Sequence, residues 1–419
     1  MALELVISDP LRLQEMRQGP LGEVADGFCE WLEAGGFSWE MIRAHVSKVR
    51  RLNTYLAGRG LSDVGQLART DIDEFPAYYW PQCELCPDPQ GHFKWVMYTL
   101  NRLIQYLEEK DLVDLNEKPE IYDPLLREYL QWMREYRCVS EGTLRVRRIS
   151  LTVFLEWMGD DAVAGRLSCL SVERLHTFFL EYAESHSVSR RRSMQAALRT
   201  FFRFCQFQGY ILKPLDEAVP SLRSYSLAHI PRGLSEDQVE AVLSSINQET
   251  NAGKRDYAVL LILQTYGVRA EQVRSLEFGD VNWREDQIFF GASKMGKDLL
   301  LPLTKDVGES ILSYVRDARP AYSYNEIFLT AAAPYRPFRD SRMISCIARR
   351  RIVEAGIEMP GAAAHAFRHY FATRMLAQGH SLKSIGDLLG HRHLENTRIY
   401  TKVDFQSLKE AAIDWPEGA

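Results

Sequence analysis

Residues 365–400 read HAFRHYFATRMLAQGHSLKSIGDLLGHRHLENTRIY. The stretch opens with a His-x-x-Arg pair, His365 and Arg368, which at three positions apart share one face of a helix. It runs on through what reads as an amphipathic helix, reaches Gly390-His391, and ends nine positions further on at Tyr400. These are the parts needed for attack by a phenol on a phosphodiester. A phenol has a pKa of about 10, so it is a weak nucleophile until a base takes its proton. A phosphoryl group under attack gains negative charge, and the forked guanidinium of arginine suits its oxygens. The leaving sugar alkoxide needs a proton from an acid. The stretch supplies a nucleophile, a base and one arginine; the remaining cations have to come from earlier in the chain.

In its HxxRHxFAT, its LLGH and its nine-residue step to tyrosine, the stretch resembles the C-terminal signature of the tyrosine recombinase (phage integrase) family. The resemblance is good over 233–400, looser over the helical region before it, and one of style alone in the first 115 residues. It implies a DNA strand-exchange enzyme that works without metal or nucleotide cofactor. Tyr400 would attack the scissile phosphate, leaving a 3′-phosphotyrosyl link and a free 5′-hydroxyl. Arg368 would clamp the phosphate, His391 would hydrogen-bond a non-bridging oxygen, and His365 would be the base. Arg269, in TYGVRAEQVRSL, matches the family's first catalytic arginine. One departure is visible: where the family usually has an acid three positions later, this chain has Gln272, with Glu271 just before it. Lys294 takes the place of the family's proton-donating lysine on a β-turn, with Lys297 on the same tip as the runner-up. His369 and His393 read as structural, and Tyr370 as packing.

Composition sets the outer bounds. At 419 residues the chain has room for two or three domains. With 46% apolar and 26% charged residues it reads as soluble and globular. The opening MALELVISDPLRLQEM has neither a basic start nor an apolar core, and no long apolar run follows, so no signal peptide or membrane span is expected. Seven cysteines, scattered through helical patterns, suggest a reducing cytoplasm. The net charge of −5 argues mildly against DNA binding, but phosphate contacts need a local basic surface rather than a basic protein. Basic clusters do occur: Lys48, Arg50 and Arg51; Arg145, Arg147 and Arg148; Arg190, Arg191 and Arg192; Arg349, Arg350 and Arg351. The first three, together with Lys297, are candidate DNA contacts; the plain alternative is a set of solvated helix faces.

Along the chain, 1–20 reads as an N-terminal arm. From Leu21 helical periodicity begins, with Ile42, Val49, Leu52, Tyr55 and Leu56 on one face. A short helix near 70–75, a loop over WPQCELCPDPQGH, and a helix carrying Leu100, Leu103, Tyr106 and Leu107 follow. The next hundred residues repeat the plan. Leu144, Leu151, Phe154, Trp157 and Met158 keep the first set's steps, and Leu198, Phe201, Phe204 and Cys205 keep the second's. We therefore expect related helical units at 21–115 and 120–225, the second resembling the family's core-binding domain. A polar linker, 221–233, leads to a catalytic domain over 233–419. There, apolar runs at 287–290 and 298–303 predict a hairpin with lysines at its tip. Helices are expected near 235–247, 254–266, 306–317, 339–355, 365–378, 381–389 and 393–399, with a further short helix in TKVDFQSLKEAAI after Tyr400; the resemblance implies that 404–413 packs into a neighbouring subunit.

Cys83 and Cys86 form a CxxC with His92 nearby, short of the four ligands of a structural zinc site, so no metal is expected there. The expected fold is mainly α: helical DNA-binding domains plus a mostly helical catalytic domain with a small antiparallel sheet. The resemblance implies double-stranded DNA as partner, and further copies of the chain, a tetramer on two sites, or related recombinases beside it. A mobile element's integrase or transposase is the favoured role. The alternatives are a recombinase that resolves chromosome or plasmid dimers, a type IB topoisomerase-like relaxing enzyme, a non-catalytic DNA-binding relative, and a purely structural helical repeat.

Overall fold

The computed structural model describes residues 2–113, 120–222, 233–292, 296–358, 363–393, 395, 397 and 400. Lys294, most of the linker, the expected helix at 404–413 and much of that at 393–399 lie outside them. The chain divides into two compact units, Met1–Thr54 with Ser226–Ala419, and Tyr55–Tyr225.

The first residues, read as an arm, are helical. Helices α1 (Ala2–Val6) and α2 (Pro10–Gln18) pack against α3 (Gly22–Ala34). Asp9 caps α2 by accepting from Leu11 N. Asn53, buried on α4 (Trp39–Gly58), accepts from Leu21 N at 2.8 Å and donates to Met16 O at 3.1 Å, which pins the turn between α2 and α3. These helices are too short and too weakly patterned for periodicity to show them; capping and one buried amide hold them.

Helix α5 (Arg69–Glu84) and helix α6 (Pro89–Glu109) replace most of the expected 80–92 loop. Pro76 and Pro81 lie inside α5, each removing one intrahelical hydrogen bond. Aromatic packing supports the helix regardless: Phe75 stacks on Tyr79, and Trp80 meets Phe93 of α6 edge-on.

Helices α7 (Asp123–Glu135), α8 (Glu141–Met158), α9 (Val172–Ser185), α10 (Val188–Phe207) and α11 (Leu215–Ala218) enclose a core rich in aromatic side chains, with Tyr129, Phe154, Phe201 and Phe204 fully buried. The succession in α7–α10 repeats that in α3–α6, down to a 3-10 turn before the third helix, Val64–Gln66 in one and Leu167–Cys169 in the other. The matched apolar positions are buried in both, except that Tyr55 and Trp157 are half-buried.

The remaining region is built on α13 (Asn251–Tyr266), which follows α12 (Glu236–Ser244). Residues 258–263 of α13 are all buried, as suits a helix that is apolar all round. After α14 (Ala270–Arg274) come three strands, β1 (Val281–Asn282), β2 (Gln287–Phe290) and β3 (Leu299–Pro302), antiparallel in the order β1-β2-β3. Gln287 pairs with Pro302 and Phe290 with Leu299. Helices α15 (Lys305–Asp317), α16 (Arg342–Glu354), α17 (Ala363–Ala377) and α18 (Leu382–Leu388) complete it. α13 packs against α15 and α17. α17, expected to be amphipathic, is buried on most of its surface, because it lies between α13, α16 and α18. Among the described residues no helix is long and apolar enough to cross a membrane.

Candidate active site

Two helix ends build the floor of the site. α13 stops at Gly267, whose φ of 59° is left-handed and whose missing side chain leaves room for Phe371. α18 stops at Leu389, followed by Gly390 with φ 64°. The carbonyls freed at these ends point at cations, as the negative ends of helices favour. Arg368 of α17, 3% exposed, donates through Nη1 to Gly267 O at 2.7 Å and through Nη2 to Leu389 O at 2.8 Å. Arg269 donates to the same Leu389 carbonyl at 3.5 Å. Burial, and then the neighbouring charge of Arg269, push Arg368 down to about 10.

Gln272 explains how this chain manages without the acid at that position. Its Oε1 accepts from Arg269 N at 3.0 Å, and its Nε2 donates to Gly291 O at 3.1 Å, at the start of the hairpin turn. A buried neutral amide thus fixes the backbone of Arg269, while Glu271 pairs with Arg274 instead.

His391 Nε2 lies 2.8 Å from Arg368 Nη2, and its Nδ1 lies 2.7 Å from Thr397 Oγ1. A guanidinium can only donate, so Nε2 carries the lone pair and a neutral ring holds its proton on Nδ1, towards the threonine. Burial, then Arg368 and Arg269, push His391 down to about 4.

Tyr400 is 2% exposed and packs with Phe371, Ala372, Ile385 and Leu389. Its hydroxyl lies 3.1 Å from Nδ1 of His369, and the two rings meet edge to face. Burial raises the phenol's pKa, with Arg368 and then Arg269 opposing. His369 had read as structural; its place one turn after His365 puts both rings on one side of α17, and no local signal singles it out. His365 is exposed, yet loss of surrounding water and the two guanidiniums still lower its pKa. Arg269, Arg368, His391 and Tyr400 are therefore gathered in one place, with both histidines of α17 beside them.

The hairpin's second lysine, Lys297, is exposed and 3.9 Å from Asp387. Its backbone N donates to Gly390 O at 3.3 Å, and Arg392 Nε donates to Gly296 O at 3.0 Å, which ties the turn to the His391 loop.

The basic clusters divide. On α4, Lys48 donates to Ala44 O and Arg50 to Glu15, while Arg51 is exposed. On α8, Arg145 and Arg148 are exposed and line a cavity of about 490 Å³ with Arg127, Arg134, Glu135 and Glu141, the last paired with Arg134. Arg147 turns inward and reaches Ser193 O at 3.4 Å. On α10, Arg190 and Arg192 are exposed, and Arg191 donates to His186 O at 2.7 Å and to Ala183 O. Arg350 and Arg351 both pair with Asp256, which Arg255 also holds and which is fully buried. In the CxxC segment, Cys83 is buried and His92 Nε2 lies 3.3 Å from Tyr79 Oη.

A family model described as the phage integrase family matches residues 232–407. A protein of Sinorhizobium fredii named as an integrase/recombinase, y4rA, is 30% identical over 423 residues, covering 99% of each chain. The crystal structure of XerH site-specific recombinase bound to difH substrate, a pre-cleavage complex, matches with a TM-score of 0.52 at 22% identity, covering 83% of this chain and 95% of that one. A lambda integrase tetramer bound to a Holliday junction matches at 0.50 and 15% identity, covering 70% and 79%. Similarity that runs the length of the chain, on top of two converging arginines, a histidine and a tyrosine in one place, gives the assignment: this is a tyrosine site-specific recombinase, a member of the phage integrase family.

Proposed function

We propose that the protein exchanges DNA strands through a covalent 3′-phosphotyrosine formed on Tyr400. The observation that carries the reading is the gathering of Arg269, Arg368 and His391 beside a buried tyrosine hydroxyl. Arg269 and Arg368 would take the charge of the five-coordinate phosphorus, each donor contributing about 10²–10³ in rate. His391 Nε2 accepts from Arg368, so the ring must be protonated, or change tautomer with Thr397 Oγ1 donating to Nδ1, before Nε2 can donate to a phosphate oxygen; the phosphate's negative charge favours protonation. A histidine of α17 takes the phenol proton, and Lys294 gives the leaving 5′-oxygen its proton. A 5′-hydroxyl from a second duplex then reverses the step.

The partner is double-stranded DNA, held by the helical unit over 120–225 through Arg145, Arg148, Arg190 and Arg192. Four copies on two sites form the working assembly. The repeat of α3–α6 in α7–α10 supports reading 21–115 as a second, related unit that lengthens the footprint on DNA. The favoured role is the integrase or transposase of a mobile element, which likeness over the whole chain to a protein named as an integrase/recombinase supports.

The test is a nicked half-site DNA incubated with wild type and Tyr400→Phe. A protein–DNA adduct with the first alone is expected; no adduct with either, at concentrations that bind the DNA, sinks the reading.

A further inference from the structure

We propose that His369, rather than His365, accepts the proton of Tyr400 as the phenol attacks. The inference rests on the reading of Tyr400 as the nucleophile and adds the path of its proton. His365 and His369 stand one turn apart on α17, with ring centroids 6.2 Å apart and Arg368 between them in sequence. It is His369 that meets the phenol: Nδ1 lies 3.1 Å from Oη, within reach for transfer, and the ring planes cross at 61°. The resemblance pointed to His365 and left His369 as structural, whereas the contact to the phenol is made by His369.

The surroundings suit the role. The groups facing His369 are His365 and Arg368 of its own helix and Tyr400 from the C-terminal segment, with Arg269 acting on the last three. Burial first, then His365 and Arg368, push His369 down to about 4, so at neutral pH the ring is neutral and has a lone pair. Tyr400 stays protonated, because burial pushes it up. The proton therefore moves within the chemical step. With its own hydrogen on Nε2, His369 takes the phenol hydrogen at Nδ1. The Oη–P bond forms, the P–O5′ bond breaks, and O5′ receives a proton from the acid. The incoming phosphate offsets the two guanidiniums, so the imidazole becomes a stronger base once DNA is bound. In the return step the tyrosine leaves and takes the same proton back from His369.

The test is single-turnover adduct formation on a half-site DNA between pH 6 and 10, with binding measured separately by gel shift. His369→Asn keeps a polar atom near the Nδ1 position but cannot carry a proton. Its rate should fall by about 10² at pH 7, in the range for loss of general base catalysis, with the deficit closing as pH nears that of the free phenol. Added imidazole should partly restore His369→Ala, and His365→Asn should lose less and show no such closing. A His369→Asn rate within about threefold of wild type, or a deficit equal at every pH with no imidazole rescue, overturns the proposal. A wild type that binds but makes no adduct overturns it together with the reading of Tyr400, so the two failures are distinguishable.

Discussion

Arg269 and Arg368 donate to one carbonyl oxygen, that of Leu389, at 3.5 and 2.8 Å. Two guanidiniums converge on the end of α18, and one of them is almost wholly buried. Like charges so placed repel, which is part of why Arg368 is pushed down to about 10. A phosphate placed beside both guanidiniums would offset that repulsion. Arg368→Lys cannot serve Gly267 O, Leu389 O and His391 Nε2 together, since lysine is a point donor without the fork. Adduct formation should fall by about 10²–10³ in Arg368→Lys and in Arg269→Lys, with DNA affinity within a fewfold of wild type. Rates close to wild type would show that the fork is not needed.

Gly267 joins fold and site in one residue. Its carbonyl holds Arg368, its φ is 59°, and a Cβ there would come within 2.5 Å of the Phe371 side chain. Gly267→Ala should cost about 1 kcal/mol for the left-handed backbone and about 1–3 more for overpacking. It should lower the melting temperature and slow cleavage together. Arg368→Ala should slow cleavage without the backbone penalty, and calorimetry on both variants separates the two effects.

Particular residues show where sequence was enough. His365 and Arg368 at helical spacing, and the fixed step from His391 to Tyr400, are local patterns, and residues 258–263 form an apolar run that only a buried helix or strand could hold. Contacts across the chain left no such mark. The approach of His369 to Tyr400 depends on how α17 and the C-terminal segment pack, and nothing in their spacing distinguishes His369 from His365. Pro81 lies in the stretch read as a loop, yet tertiary packing of Phe75 and Trp80 overrides local propensity. Arg147 and Arg191 looked like DNA contacts because their neighbours are basic. Successive helical residues point about 100° apart, so neither 145, 147 and 148 nor 190–192 can all share a face.

Acid should destabilise the fold through two rings of the site. His369 and His391 are both pushed from an ordinary 6.5 to about 4. Above pH 6.5 each is neutral folded or unfolded and contributes no pH dependence. Between 6.5 and about 4 the unfolded chain binds protons that the folded chain refuses, so stability falls as pH falls. Below about 4 that loss is complete. Wild type should lose on the order of 5 °C in Tm across this window from these groups, and His391→Asn with His369→Asn should flatten that part of the curve. An unchanged slope in the double variant would place the acid sensitivity elsewhere.

The fold sorts the arginine clusters by exposure and partner. Arg145 and Arg148 are exposed at a cavity with further arginines, whereas Arg147 and Arg191 are spent on carbonyls of their own unit. In the catalytic region Arg351 is tied to the buried Asp256. An exposed phosphate contact should weaken DNA binding at every sequence alike and lower the salt slope by about one when removed. Arg145→Ala and Arg148→Ala should each do so while leaving the melting temperature nearly unchanged. Arg147→Ala, Arg191→Ala and Arg351→Ala should do the reverse, with the salt slope kept and stability lost. Asp256→Ala should be the most damaging, at about 3–5 kcal/mol, because it strands several guanidiniums around a buried position. Fluorescence anisotropy across a salt series, read beside thermal melts of the same proteins, checks both halves, and a salt slope that moves with Arg147 rather than Arg148 would reverse the assignment of the DNA-facing side of α8.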